Sequence, residues 1–225
     1  MTTPRLTDQK ALIFDVYGTL IDWETGLHSA APLQPRTTFL QTYLDHESAL
    51  QTANPTMLYS TLVSEVFSKL SLPAPPISSW PAFPDTAAAL QILKKHFKLI
   101  VLSNVDKASF ATSLPRLGGD GVFDLVVTAE DVGAYKPDLK GFEWVLKEVK
   151  ERWGIEKEQV MSVANSLFHD HIPAKKLGLK GVWIRRPGAV MGVEGMDMTT
   201  KREWEYDTLG EMAESVEREV TDGEN

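Results

Sequence analysis

The stretch Ala11-Leu12-Ile13-Phe14-Asp15-Val16-Tyr17-Gly18-Thr19-Leu20 decides how the rest of the chain is read. Its first four residues form a short apolar run, the pattern of a strand buried on both faces of a parallel sheet. The run ends on a carboxylate, Asp15, and soon after on Gly18, a residue that allows a tight turn. A carboxylate at the end of a buried strand is costly unless charge or hydrogen bonds compensate it. Asp15 is therefore either a cap for a following helix or a working carboxylate.

Beyond Asp22-Trp23 the periodicity changes from strand to helix. Phe39, Leu40, Tyr43, Leu44 and Leu50 recur at helical spacing. Asn54-Pro55 reads as an N-cap with proline at the first helical position, followed by Met57, Leu58, Leu62, Val66, Phe67 and Leu70 on one face. Leu72-Pro73-Ala74-Pro75-Pro76 breaks the pattern as a linker does. Residues 21–84 are expected to form a helical cap, inserted into a core made of residues 8–20 and 85–220.

The core resumes at Asp85, placed to cap a helix running through Leu90 and Leu93 to Phe97. Further strands are expected at 98–102, 123–127, 160–163 and 181–184, and helices at 107–117, 139–151, 171–177 and 209–216. Pro115 weakens the first of these helices, and Gly178 closes the third. Residues 187–200 read as loop. The alternation of strand and helix predicts an α/β fold, a doubly wound parallel sheet.

Ligands of such sheets bind at the carboxyl ends of the strands. Strand one ends in Asp15, the second in Ser103-Asn104 and the fourth in Asn165-Ser166, while Lys136 follows the third after a short loop. These groups are expected to converge on one cleft. Pro137 biases Lys136 towards extended geometry, so that its ammonium could reach Asp15. An ammonium among carboxylates favours their charged form.

Four motifs in order resemble the haloacid dehalogenase superfamily, most closely a fungal group of 2-haloacid dehalogenase-like (type II) hydrolases with a Rossmann-like core. They are Asp15-Val16-Tyr17-Gly18-Thr19-Leu20, Leu102-Ser103-Asn104, Lys136-Pro137-Asp138, and Asn165-Ser166-Leu167-Phe168-His169-Asp170. The resemblance implies that Asp15 is the nucleophile, oriented by Thr19, and that Lys136 holds its charge. It further implies that Ser103 binds the substrate carboxylate, Asn104 the leaving halide, and that Asp170 positions or activates water. Tyr17, Trp23, His46, Asn165 and Ser166 are expected to contact the substrate. His169 and His171 match no catalytic position of the family and are read as surface or capping residues.

A carboxylate nucleophile forms a covalent intermediate that water later clears. The phosphatase branch places an Asp two residues after the nucleophile to protonate its leaving alkoxide. Here that position is Tyr17, a poor donor with a reference pKa of about 10, and a halide leaves without protonation. Asn165 stands where the fourth motif usually has its first acid, which weakens a Mg²⁺ site. The dehalogenase branch also binds halide with a cap Arg, for which no residue can be placed; Arg36 precedes the first cap helix, and Phe142 stands where the branch has a Tyr.

The expected function is thus carbon–halogen hydrolysis through an Asp15 ester without a cofactor. The alternatives are a Mg²⁺-dependent phosphatase of small metabolites, with Asp15 and Asp170 as ligands, and a family member that binds a ligand or partner without catalysis. A formal net charge of −8 gives no reason to bind nucleic acid or an anionic membrane. The start lacks a secretory signal and no apolar run could span a bilayer, so a cytoplasmic protein acting on a small molecule is expected. With no Cys, thiolate catalysis and disulfides are excluded. The oligomeric state stays open.

Overall fold

The structure, a computed structural model, describes residues 4–191 and 202–223. The opening apolar run is β1 (Ala11–Phe14), buried at every position. Its side chains alternate between two cores: Leu12 and Phe14 join one, Ala11 and Ile13 the other. Burying a side chain such as Phe14 is worth roughly 1.5–3 kcal/mol, which is why so short a strand suffices.

Four helices follow: α1 (Trp23–His28), α2 (Arg36–Ala53), α3 (Tyr59–Lys69) and α4 (Thr86–Leu93). Then come β2 (Lys98–Ser103), α5 (Lys107–Ser113), β3 (Leu125–Thr128), α6 (Ala129–Val132), α7 (Lys140–Trp153) and β4 (Val160–Ala164). The described chain closes with α8 (Ile172–Lys176), β5 (Lys180–Ile184), β6 (Trp204–Tyr206) and α9 (Leu209–Gly223). The sheet order is β3-β2-β1-β4-β5-β6, and every pair is parallel. This is the expected doubly wound α/β fold. Its strand order reverses between β1 and β4, the place where such sheets open a ligand crevice.

The chain leaves and re-enters the core at one paired seam. Asp22 N–H donates to Pro81 O at 2.8 Å, and Phe83 N–H donates to Leu20 O at 3.1 Å. Close by, a Cβ on Gly26 would lie 2.3 Å from Trp80 Cδ1, so only glycine fits there. Phe39, Tyr43, Leu62 and Phe67 of the intervening helices share one buried cluster with Phe14 and Val16. No helix of the described residues is long and apolar enough to cross a membrane.

Several local expectations are corrected. Asn54 is not an N-cap: it closes α2, its N–H bonding Leu50 O at 2.9 Å, and α3 starts only at Tyr59. Asp85 precedes α4, yet its carboxylate is drawn away to Arg186 at 2.6 Å and to the Gly210 N–H at 3.0 Å. That helix stops at Leu93. Pro115 ends α5 early and opens a 3₁₀ turn, Leu114–Leu117. The helix expected at 171–177 is preceded by a π-helical turn, Leu167–His171. Residues 192–200 of the expected loop lie outside the described residues.

Candidate active site

After β1 the backbone turns sharply, with Leu20 and Ile21 N–H both donating to Val16 O, at 2.7 and 2.9 Å. Gly18 makes the turn possible at φ +96°, where an added Cβ would also press on Trp23 Nε1 at 3.2 Å. The turn folds Thr19 back onto the strand end. Its hydroxyl donates to Asp15 Oδ2 at 2.7 Å and accepts from the Asn165 N–H at 2.9 Å. Arg186 Nε fixes the same loop by donating to Thr19 O at 2.9 Å.

Lys136 arrives from the loop after α6, next to a cis peptide bond with Pro137. Asn104 clamps its backbone on both sides: Oδ1 accepts from Lys136 N–H at 2.7 Å, and Nδ2 donates to Lys136 O at 3.2 Å. The ammonium donates to Asp15 Oδ1 at 2.9 Å, Asp170 Oδ1 at 2.7 Å and Leu102 O at 2.9 Å. That is as many bonds as an ammonium has hydrogens. Burial pushes the Lys136 pKa down, but Asp15 and Asp170 outweigh it and hold it above the ordinary lysine value. Asp170 is 2% exposed, and its Oδ2 has no partner among the described residues. Burial raises the Asp170 carboxyl, against the opposing Lys136 and with help from Asp15. A carboxyl with a raised pKa and a free oxygen can take a proton from water.

A cavity of about 230 Å³ opens over this cluster, and Asp15, Ser103, Asn104, Lys136, Asn165, Ser166 and Asp170 all line it. The strand-end groups therefore converge. Thr19 stands behind Asp15, outside the lining. Trp23 and the Tyr17 ring form walls, but the Tyr17 hydroxyl turns away to Ser113 Oγ at 2.8 Å. Burial raises the Tyr17 pKa further. Asn165 spends its amide hydrogens on Ile184 O and Arg185 O, both at 2.9 Å, and so ties the end of β5 to the site. Ser166 caps the π turn by accepting from the His169 N–H at 3.1 Å.

Three expectations fail here. His46 is not among the lining residues; the next residue, Glu47, is, because one step along a helix turns a side chain by about 100°. His169 is not a surface residue but lines the cavity, and burial pushes it down to about 4. His171 is buried, with Nε2 3.0 Å from Ala164 O, and burial likewise lowers it to about 4. Leu44, Glu47, Ser48, Gln51, Tyr59, Val105, Phe168 and Met191 also line it, unforeseen. Arg36 is held by Glu24 at 2.7 Å and does not reach the cavity, and no Arg does among the described residues. Phe142 is buried in the second core.

A divalent cation would meet a poor donor set. Mg²⁺ favours several hard oxygen ligands, whereas the two carboxylates here are already bridged by Lys136. No group of three or more His, Cys, Asp or Glu able to hold a metal occurs among the described residues. Asp15 and Asp170 are the two carboxylates that could hold such a cation in this cleft, and Lys136 takes one oxygen of each.

Residues 9–178 match the family described as haloacid dehalogenase-like hydrolase. The chain belongs to that family. A glyceraldehyde 3-phosphate phosphatase of Methanothermobacter thermautotrophicus is 34% identical over 103 residues, 45% of this chain and 44% of that protein. An (S)-2-haloacid dehalogenase of Pseudomonas putida is 25% identical over 200 residues, 79% of this chain and 85% of that protein. The chain spans about half the length of most curated relatives it matches. An L-2-haloacid dehalogenase from Xanthobacter autotrophicus, solved with chloropropionic acid covalently bound, superposes with a TM-score of 0.73 at 18% identity. That superposition covers 93% of this hydrolase and 98% of the other chain, and at such identity it is a likeness of fold.

Proposed function

We propose that this hydrolase cleaves the carbon–halogen bond of a small cytoplasmic molecule through an ester on Asp15, with residues 21–84 as the cap over the site. An Asp15 oxygen attacks the carbon, and the bonding pair leaves with the halide. Water then adds to the ester carbonyl carbon, the bond from that carbon to the substrate oxygen breaks, and an alcohol departs. Each turnover consumes one water and releases one halide and one proton. Lys136 and Thr19 hold the two Asp15 oxygens, and the free oxygen of Asp170 takes the proton from water. The amide hydrogen of Asn104 not given to Lys136 O is left to bind the departing halide, in the cavity that Trp23 also lines. Ser103 binds a substrate oxygen, while Tyr17, Asn165 and Ser166 shape the walls.

The observation that carries this reading is the Tyr17 hydroxyl, bound to Ser113 Oγ at 2.8 Å rather than turned to Asp15. The position two beyond the nucleophile thus offers no acid. An alkoxide leaving group benefits greatly from a proton, and a halide needs none. The haloacid dehalogenases among the relatives support the same chemistry.

The similarity to a glyceraldehyde 3-phosphate phosphatase favours a second reading, Mg²⁺-dependent phosphate ester hydrolysis. Halide and phosphate release, each measured with Mg²⁺ and with EDTA, separates the two. Halide release that EDTA leaves unchanged is the expected result. Phosphate esters cleaved faster, with strict dependence on Mg²⁺, would overturn it.

A further inference from the structure

The wall of the cavity built by α2 is chemically unlike its floor. Leu44, Glu47, Ser48 and Gln51 all line it, at the spacing that puts helix residues on one face. Glu47 is only 5% exposed. Its Oε1 accepts from the Tyr59 hydroxyl at 2.9 Å, and Oε2 has no hydrogen bond among the described residues. Oε2 is thus a free acceptor on this wall.

Among the described residues no side-chain cation of the lining is left over to meet an anionic substrate. Lys136 has given its three hydrogens to Asp15, Asp170 and Leu102. His169, lowered to about 4, is neutral at ordinary pH. Arg36 is bound outside the cavity to Glu24 and Gly188 O. The lining therefore carries three carboxyl groups against a single ammonium. A substrate carboxylate lodged here would lose its water and face like charge, which opposes binding. An N–H or O–H group would instead find the free oxygen of Glu47.

We propose that Glu47 is the specificity-determining residue of this cavity, and that the substrate is a small organohalide bearing a neutral hydrogen-bond donor, of the 2-haloamide class, in place of the free carboxylate of a 2-haloacid. The proposal rests on the carbon–halogen reading above. In a haloamide the carbonyl oxygen is left to Ser103 and the N–H to Glu47, while the halogen-bearing carbon faces Asp15. The expectation that Ser103 binds a carboxylate narrows accordingly to a carbonyl oxygen.

The test is chloride release from 2-chloropropionamide and 2-chloropropionate, isosteres that differ in charge. It compares the full chain with Glu47→Gln and Tyr59→Phe, all shown folded by thermal unfolding. At about pH 8, where a carboxyl so placed is ionised, the parent favours the amide by about tenfold or more in kcat/KM. Glu47→Gln removes the charge and narrows that ratio by about tenfold, chiefly through KM. Tyr59→Phe keeps the carboxyl but removes the bond that holds its pKa down, so it is compared with the parent at about pH 9, where the charge is restored and the preference is kept. A parent that prefers the acid, or a ratio that a folded Glu47→Gln leaves unchanged, overturns the proposal while carbon–halogen chemistry stands. Chloride released from neither compound overturns that chemistry and the proposal together.

Discussion

Lys136 and Asp15 are joined by a 2.9 Å ion pair in which the lysine is 4% and the aspartate 8% exposed. The same ammonium holds Asp170 at 2.7 Å, so one buried cation serves two carboxylates. Breaking a buried pair by removing one partner strands the other charge, at about 3–5 kcal/mol. Lys136→Met is expected to lose about that much stability near pH 8 in urea unfolding, together with all halide release. Without the ammonium the buried Asp170 carboxyl rises beyond the value of about 7 that it has beside Lys136, so the deficit is present above about pH 7 and fades as the pH falls below it. A deficit of equal size at low pH would count against the ion-pair account.

Tyr17→Phe should be mild. The hydroxyl bonds Ser113 Oγ at 2.8 Å, and its loss leaves a buried hydroxyl unpaired, at about 1–3 kcal/mol. Because that hydroxyl donates no proton to the leaving group, kcat for halide release should fall by less than about tenfold. A loss approaching that of Asp15→Asn would make Tyr17 an acid after all.

Much of this was legible in the sequence. The parallel sheet follows from apolar runs bounded by polar strand ends, and the convergence of Asp15, Ser103, Asn104 and Lys136 from the strand-end rule, with Asp170 added by the resemblance of the fourth motif. The wall opposite was not, because helical position is set by rotation and a one-residue error changes the face. Glu47 did leave a signal: it falls in phase with Leu40 and Tyr43, a carboxylate within an apolar stripe. Asn54 closes α2 instead of opening α3, since a residue type that caps a helix start can equally close the helix before it. β6 has three residues, too few for a periodic pattern.

Glu47 also gives the fold a pH dependence. Burial raises its carboxyl from 4.5 to about 7, with the Tyr59 bond opposing. Between these values the unfolded chain ionises and the folded chain does not, so the contribution of Glu47 to stability is greatest below pH 4.5 and falls as pH rises to about 7. The full drop is up to about 3 kcal/mol. Glu47→Gln should therefore be more stable than the parent at about pH 8 and nearly equal to it at about pH 4, as read from denaturation midpoints at each pH. A variant less stable than the parent at both would show that the charge is compensated.

Arg186 holds the nucleophile loop from behind. It adopts φ +49°, an uncommon conformation for a side-chain-bearing residue, and binds Thr19 O at 2.9 Å and Asp85 Oδ1 at 2.6 Å. Arg186→Lys retains the charge but not the fork, so it should cost about 1–2 kcal/mol and lower kcat with little change in KM. An unchanged kcat in a destabilised variant would confine Arg186 to a structural role.

The central claim is that an oxygen of Asp15 enters the product. A single turnover in ¹⁸O water, with enzyme in excess over the organohalide, followed by mass spectrometry of the Asp15 peptide, tests it most directly. Label in Asp15 and none in the product alcohol is the expected result, since water opens the ester at the side-chain carbonyl carbon. Label in the product with none in Asp15 would mean that water attacks the substrate directly, and would contradict the covalent mechanism.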